Sequence, residues 1–145
     1  MKSKISFRAE DGILSCFITG ERSDDEALDY WQELINECHH QDISRLQLTI
    51  ALRGKYSPFD AIKNYQSIIS MLKPSGIIVA VLDLNHLSAP DSQVACNMAA
   101  SQGLNVAYFG LEKDAKAWLL AKTPETRTIY SPQENNSVTV MNKSA

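Results

Sequence analysis

The sequence lacks several familiar signatures, and each absence removes a class of function. It has no glycine-rich phosphate loop and no Gly-x-Gly-x-x-Gly run, so the usual nucleotide-cradling backbones are missing. No serine stands in a Gly-x-Ser-x-Gly elbow. A basic excess is absent too: 14 Lys and Arg against 17 Asp and Glu leave a formal charge of −3, which argues against nucleic-acid binding. The longest apolar run, Ile77–Leu82, falls far short of the roughly 20 residues a membrane helix needs. Cysteine is sparse and odd in number, and Cys16, Cys38 and Cys96 each lie within apolar patterns, as reduced core thiols do. No apolar stretch of signal-peptide type follows the charged Met1–Arg8. A soluble, cytoplasmic protein without a disulfide framework is expected.

What is present is a regular alternation of strand and helix patterns. Ile5–Phe7 and Ile13–Thr19 flank Glu10-Asp11-Gly12, a hairpin turn signal. Ser23-Asp24-Asp25-Glu26 reads as a capping box, and Ala27, Leu28, Trp31, Leu34, Ile35 and Cys38 follow at helical spacing. Leu46, Leu48, Ile50 and Leu52 alternate with Gln47, Thr49 and Ala51, the pattern of a half-buried strand. Ser57-Pro58-Phe59-Asp60 predicts a capped helix start, with Ile62, Tyr65, Ile69 and Leu72 on one stripe.

Ile77–Leu82 is apolar on both pleat faces, as in an interior parallel strand. Ser88-Ala89-Pro90-Asp91 opens another helix, expected to turn Val94, Ala95, Met98 and Ala99 inward and to stop at Gly103. Val106–Phe109 predicts a short strand. Leu111–Lys122 predicts a final helix with Leu111, Ala115, Trp118 and Leu119 buried. Residues 1–122 thus form one α/β domain of order ββαβαβαβα, a mostly parallel sheet with an antiparallel edge strand. Residues 123–145 are rich in Ser, Thr, Asn and Pro and read as a flexible polar tail.

This order over roughly residues 5–122, the Trp118-Leu119 pair in the last helix and the aromatic junction at Tyr56–Phe59 resemble the SpoIIAA-like branch of the STAS (anti-sigma-factor antagonist) domains. The resemblance implies a β-α superhelix and a non-catalytic regulatory or protein-interaction module. Such switch proteins carry an Asp-Ser-Ser/Thr-Gly sequence whose hydroxyl is phosphorylated. The matching junction here reads Arg53-Gly54-Lys55-Tyr56-Ser57-Pro58, which lacks the acidic residue. Ser57 is the position a phospho-switch would use, but its role as a helix cap accounts for it.

Parallel pairing would bring Arg53, Lys55, Ser57, Asp83, Asn85, His86 and Ser88 to one rim of the sheet. Two cations and two helix N-termini there suggest a small anionic ligand, a phosphate or carboxylate. The alternative is a Sec14-like carrier of a lipid or other apolar small molecule, with Tyr56, Phe59 and Leu87 at its pocket. An enzyme would have to use Asp83 and His86, for which no third member is visible. Cys38-His39-His40 are consecutive on a helix end and cannot converge on one ion, so no metal or cofactor is expected. Incomplete cover of one sheet face predicts a homodimer or a docked protein partner.

Overall fold

The computed structural model describes residues 3–23, 26–54 and 58–122, with the side chains of 58–63 excepted. Five strands form one sheet in sequential order: β1 (Ser3–Glu10), β2 (Ile13–Glu21), β3 (Arg45–Arg53), β4 (Ile78–Asp83) and β5 (Val106–Tyr108). Four helices, α1 (Ala27–Gln41), α2 (Pro58–Leu72), α3 (Ala89–Ser101) and α4 (Glu112–Ala121), complete the order expected from the sequence. β1 and β2 are antiparallel and every other neighbouring pair is parallel. The hairpin closes through Asp11 and Gly12 at φ 57° and 77°, the left-handed pair of a tight two-residue turn.

Alternation along the strands divides the side chains between two cores. Cys16, Leu48, Val81 and Tyr108 stand side by side across β2 to β5 on one face. They pack with Tyr30, Leu34 and Cys38 of α1, Leu72 of α2 and Cys96 and Ala99 of α3. Right-handed crossovers between parallel neighbours place those three helices on the same side. α4 follows the last strand and has no crossover to make. It returns over the opposite face, where Ala115 and Leu119 cover Ile13, Ile78, Ala80 and Leu82. Arg45 holds the end of α4, donating from Nε to the Leu119 carbonyl and from Nη2 to that of Lys122, both at 2.8 Å.

β4 is buried along its whole length because it is the strand that both cores share. Among the described residues the second face is covered only in part: Phe17 on β2 lies on that face and is 41% exposed. Among the described residues, no helix is long and apolar enough to cross a membrane.

Several local expectations require correction. α3 turns Ser92, Cys96 and Ala99 inward, while Val94 and Met98 are exposed, so the phase read from the larger apolar residues is wrong. Leu111 is exposed ahead of α4, and Trp118 is half-buried against Phe109 with ring centroids 5.5 Å apart. α1 begins at Ala27 with Glu26 as its cap residue, and the Glu26 carboxylate accepts a hydrogen bond from Ser3 Oγ at 2.8 Å. Asp24 and Asp25 of the expected capping box lie outside the described residues. Gly103, at φ 90°, does follow α3 as a left-handed stop.

Candidate functional site

The carboxyl end of the parallel sheet brings three of the expected rim residues into direct contact. Asp83 ends β4 with its side chain fully buried. Its Oδ1 accepts the Asn85 N–H at 3.0 Å, which folds the loop after the strand back on itself. Its Oδ2 accepts the hydroxyls of Ser88 at 2.8 Å and Ser92 at 2.6 Å, one at the cap position of α3 and one in its first turn. Ser88 therefore makes no side-chain bond to its own helix, contrary to the simple cap expected. The carboxylate of Asp83 supplies negative charge at this helix start, where a bound anion would otherwise gain from the dipole.

Arg22, just past the end of β2, completes the cluster and was not singled out from the sequence. Its side chain is 5% exposed, with Nη2 3.1 Å from Ser88 Oγ and 3.7 Å from Asp83 Oδ2. The only local signal is a cation directly after a strand, which does not reveal a partner 61 positions further along the chain. A buried charge of this kind needs a counter-charge, so Arg22 and Asp83 lock the ends of β2 and β4 together.

Asn85 acts as a bracket between loops. Its Nδ2 donates to the carbonyls of Leu52 and Gly54 at 2.9 and 3.1 Å, and its Oδ1 accepts the Leu87 N–H at 2.9 Å. Arg53 borders the same shallow groove as Asn85 and Leu87, but its side chain is exposed and 3.8 Å from Glu21. His86 is exposed, and among the described residues no hydrogen bond or ion pair joins it to Asp83. The acid–base pair considered for an enzyme is not assembled in this geometry. Lys55 and Ser57 lie outside the described residues.

A second feature lies beneath the helices, next to this cluster. The three helices and the sheet line a partly open apolar pocket of about 130 Å³. Tyr30 and Trp31 of α1, Tyr65 and Ile68 of α2, Cys96 of α3 and Ile50 of β3 are among its walls. Ser92 also lines it, so the hydroxyl bound to Asp83 marks its polar end. The Tyr65 hydroxyl is buried without a hydrogen-bond partner among the described residues. Burial raises the pKa of Tyr65, and burial together with the nearby Asp83 charge raises that of Tyr108.

Leu87 does not reach this pocket. It is 62% exposed in the loop after β4. Tyr56 and the Phe59 side chain lie outside the described residues.

The cysteines offer no nucleophile. Burial pushes the Cys38 and Cys96 thiols up to about 12, and Cys16 higher still, with neighbouring negative groups adding to the effect. Among the described residues, no group of three or more His, Cys, Asp or Glu side chains is placed to hold a metal ion.

No protein-family model matches the chain, and no curated protein matches it. Among solved structures, a probable enoyl-CoA hydratase/isomerase from Mycobacterium abscessus shows a limited likeness. It has 15% identity and a TM-score of 0.37, with 56% of this chain and 38% of that protein covered. The chain therefore corresponds to well under half the length of that enzyme.

Proposed function

We propose that this protein is a non-catalytic binding module of STAS-like architecture, and that its ligand is a small apolar molecule held between the sheet and α1–α3. The observation that carries this reading is the pocket of about 130 Å³ lined in part by Tyr65, whose hydroxyl is buried without a hydrogen-bond partner among the described residues. Well-packed interiors leave few voids larger than a water, and an engineered apolar cavity of about 150 Å³ takes up benzene. A phenolic hydroxyl in such a space favours an apolar body with one hydrogen-bonding group. The element order ββαβαβαβα supports the STAS-like assignment.

The same site gives less support to a small anion at the rim. Asp83, Asn85 and Ser88 spend their polar atoms on one another and on the backbone. Regulation through a protein partner is the second reading, favoured by the uncovered part of the sheet around Phe17.

Thermal melts with benzene, indole and short-chain alcohols test the pocket. Ligands that bind only the folded state raise the midpoint by mass action. The expected result is a rise for the natural chain and none for Ala95→Leu, which places added side-chain volume at the pocket wall. Equal responses from the two proteins, or no response from either, would overturn the reading.

A further inference from the structure

The uncovered face around Phe17 ends at a sheet edge with unusual features. β1 is an eight-residue edge strand, longer than the usual five or six. It pairs with β2 through eight consecutive partners, so no bulge twists it away from an approaching strand. It contains no proline. Among the described residues no strand pairs with its outer side, which presents a straight row of backbone donors and acceptors, the arrangement that pairs most readily with another strand.

Its side chains divide by face. Ile5 and Phe7 point toward the helices, where they pack half-buried at the margin of the larger core. Lys4, Ser6, Arg8 and Glu10 all lie exposed on the opposite face. Arg8 and Glu10 approach each other to 3.4 Å, but with side chains 76% and 57% exposed this contact holds Glu10 only weakly.

We propose that β1 pairs antiparallel with β1 of a second copy of this chain, across a two-fold axis at Phe7, to make one continuous sheet. An antiparallel two-fold pairing keeps each residue on its own face only in registers centred on a residue. Centring on Ser6 sets Lys4 against the partner's Arg8, a like-charge clash repeated by symmetry. Centring on Arg8 stacks two arginines on the axis. Centring on Phe7 sets Lys4 against the partner's Glu10 twice over, Ser6 against the partner's Arg8, and Ile5 against the partner's Ala9. It also brings the two Phe7 rings together on the helix-bearing face. Charge and apolar matching thus favour the same register.

Sedimentation velocity on the full chain, from low to high micromolar concentration, tests the interface. The natural protein is expected to be a concentration-dependent dimer. Lys4→Glu should weaken it roughly tenfold or more, because two attractive cross-strand pairs become repulsive. Adding Glu10→Lys to Lys4→Glu should restore the dimer by swapping the charges. Both positions are exposed, and circular dichroism of each variant checks that the fold is retained. A monomer at every concentration, including one whose edge is taken by its own C-terminal residues, overturns the proposal. So does a dimer indifferent to Lys4→Glu. The apolar pocket lies on the other side of α1 from this edge, so failure here leaves the ligand reading standing.

Discussion

Replacing Asp83 by alanine is expected to be among the most damaging single changes outside the apolar cores. The side chain is fully buried, and it faces an arginine that is 5% exposed. Removing one member of a buried ion pair typically costs about 3–5 kcal/mol, because the remaining charge keeps its desolvation penalty without its partner. The hydroxyls of Ser88 and Ser92 and the N–H of Asn85 lose their acceptor at the same time. With a urea m-value of about 1–3 kcal/mol/M, the midpoint should fall by roughly 2 M. That loss is comparable with the whole stability of many domains.

Equilibrium urea unfolding followed by circular dichroism measures it. The paired replacement Arg22→Met with Asp83→Leu removes both charges and should recover the part of the loss due to the stranded Arg22 charge, leaving the part due to the Ser88, Ser92 and Asn85 donors. A cost below about 1 kcal/mol for Asp83→Ala at unchanged m would refute the reasoning. Strict additivity of the two single changes would do the same, since it would mean that Arg22 and Asp83 do not act as a unit.

Two further outcomes follow from the pocket and the thiols. Tyr65→Phe removes a buried hydroxyl that has no partner among the described residues, so unliganded stability should stay the same or rise by up to about 1–2 kcal/mol in urea unfolding. A loss above 1 kcal/mol would show that the hydroxyl is bonded after all. Cys16, Cys38 and Cys96 have folded pKa values raised above the ordinary 9.0, so the unfolded chain gives up protons first as pH climbs. Stability should therefore be full below about pH 8.5 and fall by up to about 1.4 kcal/mol per pH unit per thiol above it. Native thiols should also resist an aromatic disulfide reagent at pH 8 and react once urea is added.

The sequence was most legible where a local rule decides the outcome. Asp11-Gly12 closes a hairpin because both residues adopt positive φ, and the flanking strands have nowhere else to go. The run Ile77–Leu82 reads as interior because a strand with a core on each side cannot alternate, and β4 is buried along its whole length. The phase of α3 is only partly legible, with Ala99 inward as expected but Val94 and Met98 exposed, because its buried residues are serine, cysteine and alanine, which carry weak hydrophobic signal. Ser88 shows a different limit. It stands where a cap belongs, yet its hydroxyl donates to Asp83 and its oxygen accepts from Arg22 rather than from the N–H groups of its own helix. Arg22 was invisible because its partners come from two other segments of the chain. An apolar pocket is expected beside Tyr56, Phe59 and Leu87, but the one between α1, α2 and α3 is not legible, since that space depends on how closely each helix approaches the sheet.

The separation of the two cores has a consequence for how this domain opens. Among the described residues α4 is the one helix on its face, held by a small apolar cluster and by two hydrogen bonds from Arg45. Releasing it would expose Ile78, Ala80 and Leu82 without disturbing the packing of α1, α2 and α3. Its amides should then exchange with solvent through a partial opening that costs less than global unfolding. The sheet thus acts as a wall between two rooms, and one can be unlocked while the other stays closed.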